Sequence, residues 1–225
     1  MADASVAAAV RDKVTSCRDC FWRPSDFNAS PEAVAKTLSR LVAAGELRRV
    51  RRGLYWRGTP TLLGMSPPSP ARLAEEVVGG PGIGPAGLSA ALELGLATQV
   101  PRYEMIAVPG RVPRNFGAAR LVSRAASAKR RSERLGPAEV ALLEVLRDWH
   151  GLVDVPDSDA ADRIAGLVDA GTIRASELAR ASATEPPLVR ERLRDLLVGV
   201  GQSDAAMTVL PARSRSHRQN LAIAG

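Results

Sequence analysis

Residues that commonly perform chemistry are scarce in this chain. It holds two histidines, His150 and His217, and two cysteines, Cys17 and Cys20. There is no H-x-x-x-H and no G-x-S-x-G, so the common zinc-hydrolase and nucleophile-elbow patterns are excluded. A structural zinc site needs four ligands, and one C-x-x-C supplies two. A thioredoxin-type pair belongs to a βαβ context that the flanking residues do not offer. Cys17 and Cys20 are therefore expected to be ordinary reduced thiols. Asp154, Asp157, Asp159 and Asp162 crowd together, and Mg²⁺ is one reading of such a cluster. Acids are also favoured at a helix start by the helix dipole, which is the simpler account. No set of acid, base and nucleophile assembles, so the expectation is a protein that is not an enzyme and needs no metal or cofactor.

Aromatic residues make up only 4% of the chain, which leaves its cores to Ala, Leu and Val. No apolar run approaches the roughly 18–20 residues that span a bilayer. The start, Met1-Ala2-Asp3-Ala4-Ser5, is not a basic segment followed by an apolar stretch. These features predict a cytoplasmic protein with no membrane partner.

Acid is missing where base is most concentrated. From Ala35 to Arg57 there are seven basic residues (Lys36, Arg40, Arg48, Arg49, Arg51, Arg52, Arg57) against one acid, Glu46. The net charge of +7 suits an anionic partner such as nucleic acid. An Arg-rich composition explains a positive total but not its clustering. At 225 residues, with 45% hydrophobic, the chain can form two small domains with real cores.

Apolar spacing predicts a helix over 5–16, with Val6, Val10 and Val14 on one face. Phe21 and Trp22 are expected in a loop closed by Pro24, followed by a single turn from Ser25. Ser30 as N-cap and Pro31 at the first position mark the start of a second helix, and Gly45 marks its end. Val34, Leu38, Leu41 and Val42 share one stripe, while Lys36 and Arg40 centre the opposite face with Ser39 beside them. Next comes Arg48-Arg49-Val50-Arg51-Arg52-Gly53-Leu54-Tyr55-Trp56-Arg57, a basic hairpin turning at Gly53. Leu54 and Trp56 are expected to pack inward, Tyr55 and Arg57 to face out.

Helix, glycine stop and basic hairpin together predict an N-terminal winged helix-turn-helix over 1–58. Its second helix would enter the major groove of double-stranded DNA, and the arginines of its wing would hold phosphates. The predicted contacts are Ser30, Lys36, Ser39, Arg40, Arg48, Arg49, Arg51, Arg52 and Arg57. A solvated surface face is the alternative for the helix taken alone.

Residues 59–70, dense in proline and glycine, are expected to be a linker. Residues 71–135 predict an α+β region: a helix over 70–78, a helix over 85–94, and strands at 104–108 and 119–123. Gly82-x-Gly84-x-x-Gly87 matches the dinucleotide-binding pattern, but no strand precedes it and no βαβ unit follows, so a tight turn into a helix is the expectation. Eight basic residues between 111 and 134 (Arg111, Arg114, Arg120, Arg124, Lys129, Arg130, Arg131, Arg134) face one acid, Glu133. They form a candidate second basic patch for nucleic acid or an acidic protein, with a solvated loop edge as the alternative. Residues 136–200 predict a helical region, with helices at 137–149, 157–170, 174–181 and 187–197. Residues 201–225 predict a polar tail. The fold class is thus α+β and mostly helical.

The stretches Ser30-Pro31-Glu32-Ala33-Val34, Leu38-Ser39-Arg40-Leu41, Gly45-Glu46-Leu47 and Arg52-Gly53-Leu54-Tyr55-Trp56 resemble the N-terminal winged helix of AbiEi-type antitoxins. Gly82-Ile83-Gly84-Pro85-Ala86-Gly87, Ser89-Ala90-Ala91 and Leu94-Gly95-Leu96-Ala97-Thr98-Gln99-Val100-Pro101 are similar to the next block of that family. The resemblance covers roughly 20–125. It implies an antitoxin of a bacterial toxin–antitoxin, phage-defence module. Such a protein represses its own operon at inverted repeats and counters a nucleotidyltransferase-like toxin. Two other readings stay open: an antitoxin that acts chiefly by direct toxin binding, and a winged-helix transcription factor that senses a small ligand.

Overall fold

The computed structural model describes residues 2–113, 116 and 119–211. It is α+β and mostly helical, and it divides into two compact units, Met1–Ser69 and Pro70–Gly225.

The first unit runs α1 (Ala2–Thr15), β1 (Cys20–Trp22), a 3-10 turn at Pro24–Asp26, α2 (Pro31–Ala43), β2 (Arg48–Arg51), β3 (Leu54–Arg57), β4 (Pro60–Thr61) and β5 (Gly64–Met65). Pro31 starts α2 with its φ already helical. Ser30 occupies the N-cap position and its carbonyl accepts from Val34 N at 3.0 Å, yet its hydroxyl makes no capping bond. At the other end Gly45 adopts φ +74°. Its N–H donates to Val42 O at 3.0 Å and that of Glu46 to Leu41 O at 2.9 Å, a Schellman stop. The apolar stripe of α2 buries Val34, Leu38 and Leu41 against Val10 and Val14 of α1, with Leu47 and Tyr55. Each such side chain contributes about 1.5–3 kcal/mol of burial.

Two expectations for this unit are corrected. Phe21 and Trp22 are not in a loop: they lie on β1, opposite Trp56 and Tyr55 of β3, in a sheet ordered β1-β3-β2. Tyr55 does not face out. Leu54, Tyr55 and Trp56 are all buried, because both faces of β3 are covered. Tyr55 joins the helical core, while Trp56 lies against Phe21 at 4.7 Å between ring centroids and donates Nε1 to Ser66 O at 2.9 Å.

The proline-rich segment supplies that second cover. Instead of a spacer it forms the antiparallel β4–β5 hairpin, with Met65 buried and Thr59 N donating to Ser66 Oγ at 2.9 Å. Proline is tolerated here because the strand is at an edge. A helix, a strand, a shortened turn, a second helix and a two-stranded wing in this order make the unit a winged helix-turn-helix. The helix that normally precedes the second helix of this fold is reduced to one 3-10 turn, Pro24–Asp26.

The second unit runs α3 (Pro70–Val78), β6 (Gly84–Pro85), α4 (Leu88–Glu93), β7 (Met105–Val108), β8 (Arg120–Ser123), α5 (Lys129–Ser132), α6 (Pro137–Val145), α7 (Trp149–Leu152), α8 (Asp157–Asp169), α9 (Ala175–Ala181), α10 (Pro187–Gly199) and α11 (Ser203–Thr208). Strand β7 pairs antiparallel with β6 and parallel with β8. The main core extends from Ala86 to Val209, so residues on both sides of position 135 share it. Helix α6 is buried all round from Glu139 to Val145.

Several boundaries move. The helix expected from 85 begins at Leu88, because Gly84 and Pro85 pair with Ala107 and Ile106. The helix expected over 137–149 breaks into α6 and α7. Helix α11 lies in the supposed polar tail, where Ala205, Ala206 and Val209 join the core. Residues 212–225 lie outside the described residues. Among those described, no helix is long and apolar enough to cross a membrane.

Candidate nucleic-acid interface

On α2 the buried stripe fixes what the other side presents. Ser30, Lys36, Ser39 and Arg40 are exposed, as are Arg48, Arg49, Arg51 and Arg52 on the wing. Residues directly opposite in an antiparallel pair share a face. Arg49, opposite Tyr55, therefore lies on the helix side of the sheet, whereas Arg48 and Arg51, opposite Trp56 and Leu54, lie on the other. A register shift between Arg49 and Arg51 makes this split possible. Gly53, at φ +72°, carries the turn of the wing.

Glu46, the single acid in this stretch, is already taken. Arg11 grips it through Nη2 at 2.6 Å and Nε at 3.2 Å. Among the described residues no acid lies within ion-pair distance of Lys36, Arg40, Arg48, Arg49, Arg51 or Arg52. Six like charges without internal compensation repel one another, and an external polyanion relieves that. Arg57 differs from the rest. It is half-buried and donates Nη1 to Glu46 O at 2.9 Å, so it braces β3 against the end of α2. Arg48 also has a local tie, from Nη1 to Met65 O at 3.3 Å.

The candidate second basic patch loses two of its members to internal ion pairs. Arg130 is 0% exposed and is held by Glu185 and Glu144. Arg124 pairs with Glu144 through Nε at 2.8 Å and Nη2 at 2.6 Å. Lys129 lies 3.8 Å from Glu133, and Arg131 donates Nη2 to Gly79 O at 2.7 Å. Arg114 lies outside the described residues. Of the eight, Arg124 and Arg130 are spent inside the protein, while Arg111, Arg120, Lys129, Arg131 and Arg134 are exposed.

The glycine run is likewise explained by packing. A Cβ on Gly84 would sit 2.7 Å from Pro137 O and 2.8 Å from Val140 Cβ, and one on Gly82 would meet the backbone of Arg130 at 2.9 Å. Glycine is needed here so that α6 and the turn before it can close onto the strand. Downstream, Asp154 holds the Leu-Gly-Leu-x-Thr-Gln segment: its carboxylate accepts from Thr98 N at 2.9 Å and Thr98 Oγ1 at 2.9 Å. Those bonds keep the Asp154 carboxyl below its ordinary range.

Cys17 and Cys20 are joined as a disulfide, contrary to the expectation of two reduced thiols. The turn through Asp19, at φ +56°, brings their Cα atoms to 6.0 Å, within the usual span of a disulfide. Among the described residues no group of three or more His, Cys, Asp or Glu side chains could hold a metal ion. Asp157 instead accepts from Trp149 Nε1 at 3.2 Å. Two features escaped the sequence reading. Leu62 and Leu63 at the tip of the β4–β5 hairpin are fully exposed, at 106% and 100%, and Val100 and Tyr103 stand out after the Thr98 segment.

No family model and no curated protein matches this chain. Among solved structures it is similar to the crystal structure of the RV2827C protein from Mycobacterium tuberculosis, at 20% identity and a TM-score of 0.48, over 96% of this chain and 83% of that one.

Proposed function

We propose that this protein is a cytoplasmic DNA-binding antitoxin that represses its own operon and counters a nucleotidyltransferase-like toxin, without enzymatic activity of its own. The observation that carries the DNA-binding part is the set of six exposed cations on α2 and the wing, none of them in ion-pair contact with an acid among the described residues. In this reading Lys36 and Arg40 approach base edges in the major groove and Arg49, Arg51 and Arg52 hold phosphates, with Arg48 adding charge beside its tie to Met65. Arg57 acts as a brace and not as a contact. Inverted repeats would seat two copies of the unit on one operator.

The antitoxin part is supported by the resemblance of the two sequence blocks to AbiEi-type proteins. Direct docking of the toxin, the second reading, is favoured by the exposed Val100 and Tyr103 beside the segment that Asp154 clamps. Two experiments test the proposal. A mobility shift on the DNA upstream of the gene, with wild type and the Arg51→Ala/Arg52→Ala protein, tests the reading head; equal shifts would sink it. Co-expression with the neighbouring nucleotidyltransferase-like gene product, if one is encoded beside it, tests rescue of growth, and co-purification of the pair separates direct docking from other modes.

A further inference from the structure

The charges around Arg130 do not balance. Three arginines, Arg124, Arg130 and Arg147, share two carboxylates, Glu144 and Glu185. Glu185 accepts from Arg130 Nε at 2.6 Å and Nη2 at 3.0 Å, and from Arg147 Nη2 at 2.5 Å. Glu144 accepts from Arg130 Nη1 at 2.7 Å and from Arg124 Nε at 2.8 Å and Nη2 at 2.6 Å. All four carboxylate oxygens are thereby occupied. Among the described residues, no third acid lies within ion-pair distance of these arginines. One positive charge is left over, in a region where Arg130 and both glutamates are almost wholly buried.

That surplus lies beside an open groove of about 360 Å³, lined by Ser123, Arg124, Ala126, Ser127, Arg147, Thr184 and Glu185, the last with both carboxylate oxygens already bonded to Arg130 and Arg147. Arg124 and Arg147 each keep 24% of the side chain exposed, so they are the members of the network that reach it. Nη1 of Arg147 makes no hydrogen bond among the described residues. An uncompensated charge beside low-dielectric protein is costly, and a bound anion removes the cost. Guanidinium forks match the oxygens of a phosphate better than those of a halide. The volume lies at the lower end of the range typical of small-molecule sites, roughly 300–1,000 Å³.

We propose that this groove is an anion site taking one phosphate-type oxyanion, with Arg147 and Arg124 as its donors. The oxyanion is either free phosphate or the phosphate of a small phosphomonoester. The site is separate from the arginines of the wing, and it stands whether or not the wing binds DNA.

Calorimetric titration of the full chain at constant ionic strength tests it, with inorganic phosphate and adenosine monophosphate as probes. Wild type should bind at least one probe at a single saturable site. Arg147→Gln leaves two arginines facing two glutamates, and Ala126→Glu places a carboxylate at an exposed position on the groove wall. Each substitution should weaken binding at least tenfold. Tighter binding of adenosine monophosphate would identify a phosphomonoester site, and equal or tighter binding of phosphate a free-anion site. If Arg147→Gln does not fold, Ala126→Glu alone decides. Absence of saturable binding by either probe overturns the proposal, as does undiminished binding in Ala126→Glu or in a folded Arg147→Gln.

Discussion

Arg130 and Glu185 form a two-pronged ion pair in the interior of the second unit, Nε to Oε1 at 2.6 Å and Nη2 to Oε2 at 3.0 Å, with both side chains 0% exposed. The pair ties α5 to the segment just before α10. Taking two charges out of water is repaid only by such complete pairing, so removing one partner is far costlier than the pair is stabilising. Arg130→Ala should destabilise the protein by about 3–5 kcal/mol, read as a lower midpoint in urea. A loss below about 1 kcal/mol, the range of an exposed pair, would show that the network does not hold these segments together.

Acid should unfold the second unit partly through Glu144. Burial opposes ionisation of this carboxyl, but the hydrogen bond from Arg124 and the charge of Arg130 outweigh it and hold it below the ordinary range. A group with a depressed folded pKa contributes stability that is present above its unfolded value and lost as pH falls through its folded value. Melting temperature should therefore drop as pH falls from about 4, the usual carboxylate range. Glu144→Gln should be less stable at neutral pH and show a shallower acid limb. Parallel melting curves for the two proteins between neutral and acid pH would contradict this account.

Asp154 should govern order in the segment after α4. It is exposed, and its carboxyl lies below the usual range because of the Thr98 amide and hydroxyl. The clamp is thus complete at neutral pH and released as pH falls through the folded value. Asp154→Ala should speed hydrogen exchange of the Thr98 amide while leaving that of buried α6 unchanged. Unaltered protection at Thr98 would mean that the loop is held by something else.

The wing arginines and α2 should separate by salt and by sequence. Each phosphate contact contributes about 0.9 to the slope of log affinity against log salt. Arg51→Ala/Arg52→Ala should then flatten that slope by about two units and weaken all DNA sequences alike. Arg40→Ala should instead relax preference at one base pair, by about 1–3 kcal/mol. Binding measured over a salt series on operator and scrambled duplexes distinguishes the two, and an unchanged slope in the double variant would remove Arg51 and Arg52 from the interface.

Helix α2 was legible because three independent signals agree: Pro31 at its start, a 3.6-residue stripe from Val34 to Leu41, and Gly45 at its end. The wing was legible as a hairpin but not in its facing. Alternation presumes one covered face, whereas Leu54-Tyr55-Trp56 is a continuous apolar run, which marks a strand buried on both sides. What covers the second side, the hairpin through Met65, was hidden by prolines that suggest a spacer. Within the basic run from Arg111, Arg124 and Arg130 misled for another reason. Counting charges shows where arginines are dense but not that Glu144 and Glu185, 14 and 55 residues beyond Arg130, are waiting for them. Nothing local marks such partners, and only the tertiary fold brings them together. The short β6 was missed because Gly84-Pro85 has no strand propensity; it pairs because a bare backbone is what fits against α6.

The placement of the tryptophans has a practical consequence. Trp22 and Trp56 belong to the first unit, and Trp149, with Nε1 bonded to Asp157, belongs to the second. Replacing Trp22 and Trp56 with phenylalanine leaves an emission signal that reports on the helical unit alone. Replacing Trp149 leaves one that reports on the winged unit alone. The chain thus comes with a separate optical label in each half, so fluorescence alone can tell whether the two halves melt as one body or in sequence.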